Sequence, residues 1–164
     1  MIDELLSEAG DPVPTEILVG TGPGSFTGLR VAIAAAHGLS IGWGARLHGM
    51  PSLALLAASA PGDTPLVAAL AGGHGELFVQ SFARAPFGAL GEAANLTPAD
   101  ASAAHPEALA VGSGAAALIA ARGSGEALDL LPSAAHALRL PFALRSIAPR
   151  PLYIRAPDAK PKAA

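Results

Sequence analysis

Residues 15–44 read TEILVGTGPGSFTGLRVAIAAAHGLSIGWG. They decide the fold class, because a short apolar strand, a glycine-rich turn and a long apolar helix follow one another in a single run. Glu16 to Val19 has the length and composition of a buried strand. Gly20, Gly22, Pro23 and Gly24 then bring the backbone round sharply, since glycine reaches positive φ without steric cost. Ser25 or Thr27 can cap the helix that follows. From Leu29 to Ile41 only Arg30, His37 and Ser40 interrupt a run of apolar and small residues.

A strand, a glycine turn and a helix N-terminus together suit a phosphate group, because backbone N–H groups and the helix dipole meet there. Gly22, Gly24, Ser25 and Thr27 are the candidate nucleotide contacts. The usual signatures do not fit, however. A Walker loop needs a lysine after its last glycine, and the first lysine of this chain is Lys160. The pattern G-x-G-x-x-G would need a third glycine at position 25 or 27, where Ser25 and Thr27 stand. The plainer reading is a tight turn that lets a small-residue helix pack closely, with no intrinsic cofactor.

The long helix has a distinctive surface. Gly28, Ala32, Ala35 and Leu39 recur at helical spacing, with Leu29, Ile33 and Ala36 beside them and Val31, Ala34 and Ile41 on another side. A helix apolar all round must be covered all round. Either it is the central core helix, or a partner helix covers the face that a small lobe leaves open.

Outward from this run, Ile2 to Ala9 reads as a helix end with Leu5 and Leu6 on its apolar face, stopped by Gly10, Pro12 and Pro14. Arg46 to Gly49 is a second short strand. Pro51 starts a helix through Ser59, with Ser52 helping to cap it. Pro61-Gly62-Asp63 is the clearest break, and it divides an N-terminal lobe, 1–62, from a C-terminal lobe with a tail, 63–164. Thr64 to Phe82 reads as a hairpin: Leu66 to Leu70, a turn at Gly72 to Gly75, then Glu76 to Phe82 with Leu77, Val79 and Ser81 on one side. Ala83 to Leu96 reads as a loop or a third short strand. Thr97-Pro98-Ala99-Asp100 starts a helix. Ala108 to Val111, the turn Gly112-Ser113-Gly114 and the helix Ala115 to Arg122 repeat the first strand–turn–helix theme in weaker form. Ser133 to Leu140 reads as a helix, Pro149 to Arg155 as an extended segment and Pro157 to Ala164 as a mobile tail.

Composition limits the function classes. Among 164 residues, 51% are hydrophobic and 14% charged, which excludes disorder and implies extensive burial or an apolar surface. The net charge is −3 with no basic run, so autonomous nucleic-acid binding lacks its footprint. With no cysteine, disulfides, thiolate metal sites and thiol catalysis are excluded. Met1-Ile2-Asp3-Glu4 is no signal peptide and the apolar stretches are too interrupted to span a membrane, so a soluble cytoplasmic protein is expected. His37, His48, His74, His105 and His136 show no metal-ligand spacing, and no metal site is expected. His74 and Glu76 are either a catalytic pair or a solvated hairpin tip. A nucleophile elbow is missing: in Gly24-Ser25-Phe26-Thr27-Gly28 the serine comes one place too early, and Gly112-Ser113-Gly114 is too short.

GTGPGSFTGLR at 20–30, GMPSLALLA at 49–57, GELFVQSF at 75–82 and PRPLYIR at 149–155 together resemble the TsaB (YeaZ) family, from about Ile2 to Arg155. The resemblance implies an α/β, two-lobed fold of the actin-like ATPase (sugar-kinase/Hsp70/actin, RNase H-like) superfamily. That family opens with a hairpin-like set of strands, so the resemblance also implies a truncated first lobe and an internal methionine at Met1. It implies a non-catalytic scaffold that partners a TsaD-like protein, with a TsaE-like ATPase nearby, in forming threonylcarbamoyladenosine in tRNA. ATP and tRNA would then belong to the complex, and the chain alone would be a homodimer. It implies an interface of Gly28, Leu29, Ala32, Ala35, Ala36 and Leu39. The chain departs from the family where Ala71 and Gly73 replace an Asp and an Arg ahead of Glu76. The rival readings are a degenerate ATPase or peptidase-like enzyme of the same superfamily, and a self-associating structural protein. The absence of a lysine and an acidic pair beside the glycine turn argues against phosphoryl transfer.

Overall fold

The computed structural model describes residues 2–154. The end of the extended segment at Arg155, the expected tail at 157–164 and Met1 lie outside the described residues. The first helix, α1 (Ile2–Glu8), buries none of its residues, and Leu5 is 61% exposed. Of the apolar face expected there only Leu6 is partly covered by the described residues, and the chain turns away at Gly10, whose φ is 85°.

Strand β1 (Glu16–Gly20) leads through the glycine turn into α2 (Phe26–Trp43), and β2 (Arg46–Met50) returns parallel to β1 with Val19 opposite Gly49. This two-stranded sheet has a helix on each face. Ile17 and Val19 of β1 pack with Ile33 and Ala36 of α2. Leu18, pointing the other way, joins the core around the next helix, α3 (Ser52–Ser59). The burial expected of β1 is therefore partial: only Val19 is fully buried.

The central helix is α3, not α2. Leu53 to Ala58 are all buried, between Met50 and Leu18 on one side and the second sheet on the other. A short helix of leucine and alanine can be enclosed this way because its small positions admit close neighbours. Pro51 stands at its N-cap without a side-chain cap, and Ser52 contributes its backbone N–H instead, donating to the Gly22 carbonyl at 2.8 Å. On α2, by contrast, only Ile33 and Ala36 are buried.

The second sheet contains β3 (Leu66–Ala71), β4 (Leu77–Arg84), β5 (Phe87–Ala89), β6 (Ala94–Leu96), β7 (Leu109–Val111) and β8 (Glu126–Leu128). The order is β5-β4-β3-β7-β8, with β6 also on β4; β7 runs parallel to β3 and β8, and the other pairs are antiparallel. Side-chain alternation on β3 assigns its two faces. Leu66 and Ala68 meet α3, while Val67 and Ala69 meet α4 (Pro98–Ala104) and α5 (Ala115–Arg122) through Ala101, Ala115 and Leu118. The stretch 83–96, expected as loop or a third short strand, carries two: β5 pairs with the end of β4 at Phe82 to Arg84, and β6 with its start at Leu77 to Val79. The segment expected as a helix at 133–140 is a 3₁₀ run, Ala134–Arg139. Gly112 has φ 110°, and a Cβ there would collide with the Ala69 carbonyl and lie 2.6 Å from Leu56 Cδ2, so the second glycine turn brings α3 against β3.

Candidate functional site

The outer face of α2 is the first candidate. Ser25 caps the helix, its Oγ accepting the Gly28 N–H at 3.3 Å; Thr27, the other expected cap, is left exposed. At the far end Gly44 adopts φ 65° and its N–H bonds the Ser40 carbonyl. Between these caps the helix extends about 27 Å. Gly28, Val31, Ala32, Ala34, Ala35, Gly38 and Ile41 are exposed, Val31 at 63% and Ile41 at 84%. Among the described residues, a Cβ added at Gly38 or Gly42 would meet nothing within 4 Å. Two mid-helix glycines that accommodate no neighbour cost about 1 kcal/mol each relative to alanine.

The expected interface residues are divided by the sheet beneath. Gly28, Ala32 and Ala35 lie open together, and Leu29 and Leu39 are half-buried at the margin. Ala36 is turned inward onto β1 at 6% exposure, so it belongs to the core and not to the open face. The physical reason is the helical period, which puts position 36 on the same stripe as Ile33.

The N-terminal end of that face carries a cluster that the sequence reading did not assemble. The Arg30 guanidinium lies 3.8 Å above the Phe26 ring and donates through Nε to the Tyr153 hydroxyl at 2.9 Å. The Phe26 and Tyr153 rings stack at 5.5 Å. Leu152 donates its N–H to the Thr21 carbonyl at 2.7 Å, and Gly49 forms a bridge with Ile147. Residues 147–153 thus run as a strap across the glycine turn. A separation of 123 residues hides this contact from any local pattern.

The glycine turn itself is filled by its own chain. Thr21 is buried, and its N–H and hydroxyl both donate to the Met50 carbonyl, at 2.9 and 3.1 Å. Gly22 is buried, and a Cβ there would stand 2.9 Å from Leu29 Cδ1 and 3.1 Å from the Leu152 carbonyl. Of the four candidate nucleotide contacts, Gly24, Ser25 and Thr27 are exposed at the rim, and the Ser25 hydroxyl is engaged in the helix cap.

Among the histidines, His105 meets a serine and a carboxylate. Ser81 Oγ donates to Glu107 Oε2 at 2.7 Å and lies 2.7 Å from His105 Nδ1, which therefore carries the proton the serine accepts. Arg122 donates to the backbone carbonyls of both Glu107 and His105. Burial pushes the His105 imidazole below its ordinary value; Glu107 opposes that shift and Arg122 reinforces it. In a hydrolytic triad the histidine stands between serine and carboxylate. Here the serine stands between the other two and is 6% exposed, so the cluster ties β4 to the loop after α4. At the hairpin tip, Glu76 accepts from Asn95 Nδ2 at 2.6 Å, and His74 has φ 62°. Among the described residues no group of three or more His, Asp or Glu side chains is placed to hold a metal ion, and no helix is long and apolar enough to cross a membrane.

The comparisons agree with this mixed α/β architecture. Residues 1–94 match the family model of TsaD, tRNA N6-adenosine threonylcarbamoyltransferase. Over 89 residues the chain is 32% identical to the tRNA threonylcarbamoyladenosine biosynthesis protein TsaB of Escherichia coli (strain K12); the match covers 51% of this chain and 38% of that protein's length. YeaZ from Pseudomonas aeruginosa superposes with a TM-score of 0.74 at 27% identity, covering 93% of this chain and 81% of its own. A crystal structure of a Pseudomonas aeruginosa protein similar to peptidase YEAZ gives a TM-score of 0.76 at 27% identity, covering 94% and 81%. The expected fold class, an α/β fold of the actin-like, RNase H-like kind, therefore stands.

Proposed function

The chain belongs to the family whose model covers residues 1–94, TsaD (tRNA N6-adenosine threonylcarbamoyltransferase); with the likeness to TsaB beside it, we propose a TsaB-like, non-catalytic scaffold acting in the formation of threonylcarbamoyladenosine in tRNA. In this reading it partners a TsaD-like protein in the cytoplasm, with a TsaE-like ATPase in the same assembly, and pairs with itself when alone. ATP and tRNA are ligands of the assembly. The lobes divide at 62/63, and any contact of the glycine turn with a nucleotide falls to exposed Gly24, Ser25 and Thr27.

One observation carries the reading: α2 presents an exposed apolar face with glycines where a Cβ would touch nothing. An 18-residue helix that is buried along one stripe only is a docking surface of the helix-to-helix kind, where small residues let backbones approach. The net charge of −3 supports assigning RNA contact to the partner.

The test is to mix the purified chain with a purified TsaD protein, follow co-elution and titrate by calorimetry, and assay tRNA modification with and without the chain. A stoichiometric complex and chain-dependent modification are expected. Failure of both removes the scaffold reading. Steady ATP turnover by the isolated chain, lost on Ser25→Ala or Thr27→Ala, would favour the enzyme reading instead.

A further inference from the structure

A second concave site lies away from α2, where the end of α3, the Pro61-Gly62-Asp63 link, the end of β4 and the 3₁₀ run 134–139 converge. It is a cleft of about 340 Å³. Its walls are apolar at Ala60, Pro61 and Phe87, and two guanidiniums, Arg84 and Arg139, line it together with Asp63.

Part of the reason for these arginines is structural. Arg84 Nη2 donates to the Ala60 carbonyl at 2.9 Å, and Arg139 Nη1 reaches the Ala58 carbonyl at 3.4 Å. Both cations thereby sit at the C-terminal end of α3, where the helix dipole favours positive charge. One cation would serve that role. Two like charges brought into one cleft repel, and among the described residues Asp63 is the one carboxylate lining it with them. Asp63 acts on Arg84 at a distance, without forming an ion pair with it among the described residues.

The guanidinium of Arg84 is also incompletely used. Its Nη1 is out of reach of solvent and has no hydrogen-bond partner among the described residues, so an anion would meet it only after a small movement of the side chain. A buried, unpaired donor on a charged group is costly. Burial pushes the group below its ordinary value, with Arg139 adding to that effect and Asp63 opposing it. With two cations and one anion among the described residues, the cleft lining carries one positive charge uncompensated. A flat fork of donors beside an aromatic ring suits an oxyanion attached to a ring-shaped or apolar body.

We infer that this cleft binds a small-molecule oxyanion, a phosphate or carboxylate group held between Arg84 and Arg139 with its body against Phe87. The site is separate from the α2 face, so its fate does not depend on the scaffold reading.

Calorimetric titration of the whole chain at low ionic strength tests this with four probes: inorganic phosphate, AMP, benzoate and adenosine. AMP, benzoate or both should bind with a dissociation constant on the order of 1 mM or tighter, and inorganic phosphate more weakly. AMP without benzoate identifies a phosphate as the natural group, and benzoate without AMP a carboxylate. Adenosine, which has the ring but no oxyanion, should not bind. Arg139→Ala removes an exposed side chain and should weaken binding about tenfold or more with the melting temperature little changed. Arg84→Lys keeps the charge but not the fork, and should also weaken binding. Absence of heat from phosphate, AMP and benzoate up to about 10 mM overturns the proposal. So does adenosine binding as tightly as AMP, or binding that survives both substitutions unchanged.

Discussion

Replacing Ala32 with arginine separates a contact surface from an idle one. Ala32 is exposed on α2, and arginine is nearly as good a helix former as alanine. In the isolated chain the change should therefore stay within about 0.5 kcal/mol, a shift of roughly 1–2 °C in melting temperature. The neighbouring residue behaves in the opposite way. Ile33 is 7% exposed and packs with Val19, Ile17 and Leu47, so Ile33→Arg buries an unpaired charge and should cost several kcal/mol. Against a partner helix, whose axis would lie about 8–10 Å away, there is no room for an arginine at position 32. Overpacking of about 1–3 kcal/mol and a charge left unpaired together reduce association roughly a hundredfold or more. Circular dichroism melting and calorimetric titration with a TsaD protein read the two effects separately, and sedimentation equilibrium reads self-association. A normal melt with lost binding is expected for Ala32→Arg. A collapsed melt, or unchanged binding and self-association, would refute the reasoning.

Three further outcomes are expected. Gly38→Ala should raise the melting temperature by about 2–4 °C, since a Cβ there meets nothing and a mid-helix glycine costs about 1 kcal/mol; no gain would show that the site is not free in the isolated chain. Gly112→Ala should lower stability by about 3 kcal/mol or more, because φ of 110° and the Ala69 carbonyl both exclude a side chain; a wild-type urea midpoint would contradict this. His105 is held neutral in the folded state, so the unfolded chain takes up its proton first as pH falls through 6.5, and stability drops toward the lowered folded value. His105→Gln should flatten that part of the profile in urea melts between about pH 7.5 and 5, and an unaltered slope would count against the cause.

What the sequence revealed depended on distance along the chain. β1, α2, β2 and the β3–β4 hairpin were legible because each is signalled by glycines or prolines at its ends and by periodicity within it. The roles of the two early helices were not. Both α2 and α3 are apolar throughout, and only the position of the second sheet decides that α3 is enclosed and α2 is left with an open side. Ala36 was grouped with Ala32 and Ala35 for the same reason: small residues carry little indication of which way they face. The strands at 87–89 and 126–128 are three residues long, too short to establish alternation. Ser81, His105 and Glu107 meet across 24 and 26 residues, and Arg30 meets Tyr153 across 123, so no spacing rule could have joined them.

The strap over the glycine turn bears on the order in which this chain can fold as it leaves the ribosome. Thr21 and Arg30 are made long before Leu152 and Tyr153, which bond them. At about 5–20 residues per second, the 123 residues between Arg30 and Tyr153 take roughly 6–25 s to add. Throughout that interval the turn, the Phe26 ring and the Gly49 edge of β2 have no cover from residues 147–153, while β3 to α5 can already pair among themselves. The N-terminal sheet is thus translated ahead of the second sheet and receives its cover after it. Chains that stop before residue 147 would expose it to chaperones and proteases even with the second sheet fully formed.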